Sequence, residues 1–132
     1  MAYLKQPWFN RKIINRFAMA TGVVHSQTLT VTRRASKQPQ TIPVTPVAVG
    51  GVKYLVSTRG ESQWVKNVRV DPIVTLKTRS GATKYVVHET PVENRRPIIE
   101  AYKVKAGKIV TGYFRKLPDP ADHPVFTLTL AT

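Results

Sequence analysis

Two short stretches of this chain gather the side chains best suited to chemistry. The first is Arg33-Arg34-Ala35-Ser36-Lys37-Gln38-Pro39-Gln40-Thr41-Ile42-Pro43-Val44. A basic, hydroxyl-bearing turn feeding an irregular strand offers guanidinium and main-chain N–H donors to phosphate or carboxylate oxygens. Taken alone it reads equally well as an ordinary solvated turn. The second is Ser57-Thr58-Arg59-Gly60-Glu61-Ser62-Gln63-Trp64-Val65-Lys66-Asn67-Val68-Arg69. Here a strand ends in a small basic loop and opens a helix, an arrangement suited to anions. Trp64 and Asn67 stand one helical turn apart and can face the same space. Trp64 as plain core and Arg69 as a solvated charge are the competing readings.

Other catalytic constellations are missing. His25, His88 and His123 are far apart and in no metal-ligand spacing, so satisfied or surface histidines are the expectation. There is no nucleophile elbow, Walker loop or dinucleotide-binding glycine pattern. The seven carboxylates form no evident acid–base pair, and Glu61 and Glu93 read as helix-start residues. An enzyme built this way needs a cofactor to carry the difficult chemistry.

The elements that must hold these stretches alternate in period. A chain of 132 residues with 42% hydrophobic content makes one domain with a modest core. Cysteine is absent, which removes disulfides and thiolate metal sites and fits a reducing, cytoplasmic setting. Residues 1–22 form a separate amphipathic segment, with a helix over roughly Pro7–Ala20 that ends near Gly22. They lack the uninterrupted apolar stretch of a secretory signal. Residues 23–132 form the main domain. Gln27–Arg33 alternates as a strand with Leu29 and Val31 on one face, and Arg34–Gln40 is a turn. Thr41–Val49 is extended but bent by Pro43 and Pro46, and suits a sheet edge. Gly50-Gly51 turns into Val52–Ser57. Glu61–Val70 is a short helix, Ile73–Arg79 and Thr83–Glu89 a hairpin, Glu93–Ala106 a helix, and Val125–Leu130 the last strand. Short hairpin-linked strands with a few helices imply a small antiparallel barrel.

The two stretches together resemble the deazaflavin-dependent nitroreductase family of the flavin/deazaflavin split-barrel oxidoreductases. The likeness rests on Arg34-x-Ser36 followed by Pro43-Val44, and on Ser57-Thr58-Arg59-Gly60-x-x-x-Trp64-x-x-Asn67-x-Arg69. Gly112-Tyr113-Phe114-Arg115 and Pro118-Asp119-Pro120-x-Asp122-His123-Pro124-Val125-Phe126 extend it to the last strand. The family's first turn usually has glycine after the hydroxyl residue and arginine three positions further; this chain has Lys37 and Gln40. The resemblance implies a mainly β (α+β) split barrel of the FMN-binding type, with six or seven mostly antiparallel strands and two to four helices. It also implies coenzyme F420, an 8-hydroxy-5-deazaflavin, as hydride donor, with FMN as the alternative. Arg34, Ser36 and Arg59 suit its phosphodiester and glutamate tail. Ile42, Pro43, Val44 and Trp64 suit its planar ring, and Ser57 and Thr58 the ring's polar edge. Ala35, Gln40, Gly60 and Asn67 complete the implied coenzyme set. Tyr113 is the candidate proton donor or substrate contact, with a packed, satisfied ring as the alternative.

The acceptor implied is an electron-poor small molecule: a quinone, an enone or a nitro compound. The net charge of +14 favours an anionic partner without choosing it, and a generally basic, solvated surface is the competing reading. A nucleic-acid-binding barrel is the rival, opposed by an aromatic content of only 8% with no stacking platform. A non-catalytic coenzyme or haem carrier is another. The opening helix either packs on the barrel or makes a peripheral membrane contact through residues 3–20. Monomer and homodimer both remain open.

Overall fold

The computed structural model describes residues 27–131. The opening helix, the boundary at residue 22 and the residues offered for membrane contact lie outside the described residues.

Alternation of β-branched residues sets the sheet. β1 (Gln27–Thr32) buries Leu29 and Val31 and leaves its threonines on the other face. It is followed by β2 (Pro39–Val44), β3 (Val47–Val49), β4 (Val52–Val56), α1 (Gln63–Val70), β5 (Ile73–Thr78) and β6 (Gly81–Glu89). α2 (Arg96–Ala106), α3 (Lys108–Lys116) and β7 (Val125–Leu130) complete the chain. All pairings are antiparallel, in the order β2-β1-β5-β6-β7-β4-β3.

One connection dictates the curvature. β2 and β3 stand at opposite ends of that order, yet only Thr45 and Pro46 separate them. Three peptide links reach no more than about 11 Å. The sheet therefore curls until its edges approach, which makes the split barrel. The single bent strand expected over Thr41–Val49 is in fact these two edge strands. Pro39 and Pro43 fall on β2, where a missing N–H can face the open edge.

The barrel interior holds Leu29, Val31, Leu55, Val74, Leu76, Val87, Phe126 and Leu128, joined by Trp64, Val65 and Val68 of α1. A second cluster packs Ile98, Ile99 and Tyr102 of α2 and Phe114 of α3 against Val47, Val56 and Val125. Among the described residues, seven strands and three helices match the expected class.

Helix boundaries differ from expectation for local reasons. α1 begins two residues late because Gly60 sits at φ +91° and Ser62 is still extended at the N-cap. The helix expected from Glu93 is a 3-10 turn, Val92–Asn94, and then α2 with Pro97 in its first turn. α3 was not expected at all. Its Ile109-Val110-Thr111-Gly112 run has poor helix propensity. Burial of Phe114 against Tyr102 and His123 holds it.

Candidate functional site

Asn67 joins the two chemically suggestive stretches. It is 3% exposed, so its amide must be satisfied within the protein. Asn67 Oδ1 accepts from the Arg34 main-chain N–H at 3.1 Å and from Arg34 Nη1 at 2.8 Å. Asn67 Nδ2 donates to Gln40 Oε1 at 2.7 Å. Arg34 Nη2 adds a bond to Gln63 Oε1 at 2.9 Å, one turn earlier on α1. The turn between β1 and β2 is thus docked on the helix that the 57–60 loop opens. With Arg34 donating to the amide oxygen, the amide nitrogen must face position 40, and that position needs an acceptor. Gln40 supplies one, where the family pattern has arginine.

The turn itself is folded by short-range bonds. Arg33 N donates to Gln38 O, Lys37 N to Arg33 O, and Gln38 N to Ser36 Oγ. The N–H groups of Ala35 and Ser36 make no hydrogen bond with described residues, and the turn is exposed. Lys37 has φ +65°. That left-handed conformation explains the glycine of the family pattern, since an L side chain there costs about 1–2 kcal/mol. Lys37 Nζ bonds back to Arg34 O at 3.1 Å.

Across the site, the 57–62 loop is packed tightly. Ser57 is 1% exposed; its hydroxyl donates to Gly60 O and lies 3.4 Å from Ser62 Oγ. Thr58 Oγ1 lies 2.6 Å from the Tyr102 hydroxyl of α2. Burial pushes the Tyr102 phenol above its ordinary range, and the bond with Thr58 partly offsets this. Glu61 is not a helix-start residue. It sits before the N-cap, accepting from Arg69 at 2.6 and 3.1 Å. Arg69 also reaches Glu89 at 2.8 Å, and Glu89 in turn meets Arg95 at 3.2 Å. The hydrogen bond from Arg69 holds the Glu61 carboxyl below its usual range despite burial, and the two carboxylates raise Arg69 further. Arg69 is therefore the tie that fixes the start of α1 to β6.

The remaining expected residues divide. Ile42 and Val44 are half-buried and pack on the barrel core, while Pro43 is exposed on the edge strand. Trp64 is buried in the core, its ring tilted against Phe126 at 5.6 Å. Tyr113 is half-buried on α3 and joins none of the bonds described above. His88 is exposed; His123 is fully buried with both ring nitrogens engaged. Among the described residues no group of histidines and carboxylates could hold a metal.

Charge favours one kind of ligand. The first 60 residues contain nine Lys and Arg and no Asp or Glu. Arg33, Arg34 and Lys37 form no ion pair with described residues. The two bonds from the Arg34 guanidinium leave its other N–H donors for an anion. Sequence reasoning missed Gln63, Tyr102 and the Glu61–Arg69–Glu89 tie. The four-residue spacing of Gln63 and Asn67 was the available signal.

Two outcomes follow from this geometry. Lys37→Gly relieves the left-handed strain, less the extra chain entropy of glycine, and raises stability by about 0.5–1 kcal/mol in urea denaturation. Glu61 has its folded pKa below the unfolded value, so its contribution is present above the usual carboxylate range and lost as pH falls through it. Glu61→Gln is less stable than wild type at neutral pH, and its stability falls less steeply towards about pH 3.

Comparison with known proteins agrees with the fold and names the family. A family model described as F420H2-dependent quinone reductase matches residues 7–113. Comparison with curated proteins gives no match. An F420-H2-dependent reductase, FDR-A, superposes with a TM-score of 0.60 at 19% identity, over 79% of this chain and 93% of that one. A NimC/NimA family protein from Clostridium acetobutylicum gives 0.58 at 16% identity, over 87% and 78%. HutZ, the haem storage protein from Vibrio cholerae, gives 0.59 at 12% identity, over 92% and 90%. At these identities the superpositions establish the split-barrel fold, which evidently hosts more than one activity. With more than half of its length matched by the family model, the chain belongs to the F420H2-dependent quinone reductase family and is an enzyme that works with coenzyme F420.

Proposed function

We propose that the chain reduces a quinone, or a similarly electron-poor enone or nitro compound, by hydride transfer, with the coenzyme's acidic tail held at the β1–β2 turn. The observation that carries this reading is the Asn67 junction, which presents Arg34 beside N–H groups that bond to no described residue, on a segment without carboxylates.

The residues present fit such a ligand. A phosphodiester and glutamate carboxylates need guanidinium, ammonium and N–H donors, and the turn contributes Arg34, Ala35, Ser36 and Lys37. Arg59 lies on the neighbouring loop. Ile42 and Val44 provide an apolar flank, with Trp64 buried behind them as part of the same core. Thr58, half-buried and tied to Tyr102, meets the ring's polar edge, while Ser57, whose hydroxyl, N–H and carbonyl are all engaged within the protein, holds the loop behind it. When bound, the coenzyme supplies the hydride, since a deazaflavin favours two-electron chemistry.

The chain's own contribution is then orientation and exclusion of water. No carboxylate pair stands at the site to act as acid and base, so the proton comes from solvent or from Tyr113. A quinone acceptor is supported by the family description. Cytoplasmic placement, with peripheral attachment through residues 3–20, belongs to the same proposal.

The test is anaerobic turnover of reduced coenzyme F420 with menadione, run beside reduced FMN and a titration with a short oligonucleotide. Oxidation of reduced coenzyme F420 alone, with saturation in both substrates, is the expected result. Turnover with FMN only, or tight salt-sensitive oligonucleotide binding without turnover, overturns the proposal.

A further inference from the structure

The 57–58 peptide is held from behind by groups that neither bind the tail nor fill the barrel. His123 Nδ1 lies 2.9 Å from the Ser57 carbonyl oxygen, and Nε2 lies 2.6 Å from the Leu117 carbonyl oxygen at the end of α3. A carbonyl oxygen can only accept, so each ring nitrogen serves by donating; a neutral imidazole keeps one bond and the imidazolium both. Phe114 of α3 stacks on the imidazole with ring centroids 4.1 Å apart. The same Phe114 meets Tyr102 edge-on at 6.2 Å, and Tyr102 bonds Thr58. Ser57 N donates to Pro124 O at 2.9 Å, next to His123 in sequence.

We propose that His123 is a positioning residue: wedged between the Ser57 and Leu117 carbonyls, with one ring nitrogen against each, it locks the loop that meets the coenzyme's ring in register with α3, the helix that carries Tyr113. This rests on the coenzyme reading proposed above. Tail affinity comes from the β1–β2 turn and Arg59, whereas the ring's angle to an acceptor depends on the 57–58 peptide. Removing the bridge therefore separates the two. Affinity stays and the transfer rate falls, because a misplacement of about 1 Å at a reacting centre can cost about 100-fold.

The chemistry of the bridge suggests its own controls. In His123→Asn the amide nitrogen falls near the position of Nδ1 and can keep the Ser57 bond. In His123→Gln it falls near Nε2 and can keep only the Leu117 bond. Tyr102→Phe removes one hydroxyl and leaves the aromatic packing.

The experiment uses the full chain. It measures the dissociation constant of coenzyme F420 by fluorescence and the single-turnover oxidation of bound, reduced coenzyme F420 by menadione. The expected dissociation constants stay within about threefold of wild type, while the rate falls at least about tenfold in His123→Gln, less in His123→Asn, and measurably in Tyr102→Phe. A purely structural histidine lowers melting temperatures without this ordering. Wild-type rates in a folded His123→Gln, or rate losses that merely follow lost affinity, overturn the proposal. If neither histidine variant folds, Tyr102→Phe decides by the same split, and its wild-type rate overturns the bridge. Failure of the wild type to bind coenzyme F420 overturns the coenzyme reading itself, and is seen before any variant is compared.

Discussion

A single buried side-chain amide organises the site. Asn67 lies on the face of α1 that meets the β1–β2 turn, and burial obliges it to find partners there. Its oxygen takes two donors from Arg34 and its nitrogen takes Gln40. An unpaired amide at this depth costs about 1–3 kcal/mol, so turn and helix are fixed together. Everything proposed for anion binding depends on that docking. It converts Arg34 from a mobile surface cation into one whose backbone and guanidinium are both anchored, which lowers the entropy lost when a ligand arrives.

The second constraint is the curl of the sheet. With only Thr45 and Pro46 between the outermost strands, β2 is drawn round until its half-buried Ile42 and Val44 pack on the core that also holds Trp64. The turn, the edge strand and the 57–62 loop then surround α1 from different directions. On the far side, the Glu61–Arg69–Glu89–Arg95 chain of charges and the Thr58–Tyr102 bond brace the same loop. The first carboxylate in the chain is Glu61, on this bracing side. The anion-facing segments carry none, which leaves the cations' field uncancelled.

Much of this is legible in the residues, for identifiable reasons. Leu29 and Val31 announce β1 because strand alternation has a period of two, and Pro43 and Pro46 announce edges because proline cannot donate. The turn and loop stand out because guanidinium, hydroxyl and glycine occur together there. What escapes is long-range and individually ordinary. Gln63 looks like any solvated helix residue until Arg34 is set beside it. Arg69 reads as a surface charge until β6 brings Glu89 near. α3 has β-branched residues and a glycine where helix formers are expected, and the buried ring of Phe114 anchors it from a distance in sequence. Trp64, expected at a ring slot, supports that region from within the core.

The most direct measurement is the affinity for coenzyme F420, across a range of salt, of a variant carrying both Arg34→Glu and Arg59→Glu. Charge-assisted hydrogen bonds contribute about 1.5–3 kcal/mol each, so a loss of about 100-fold or more and a flatter salt dependence are expected. A folded double variant that takes up the coenzyme as wild type does contradicts this, and places the anion site elsewhere on the barrel.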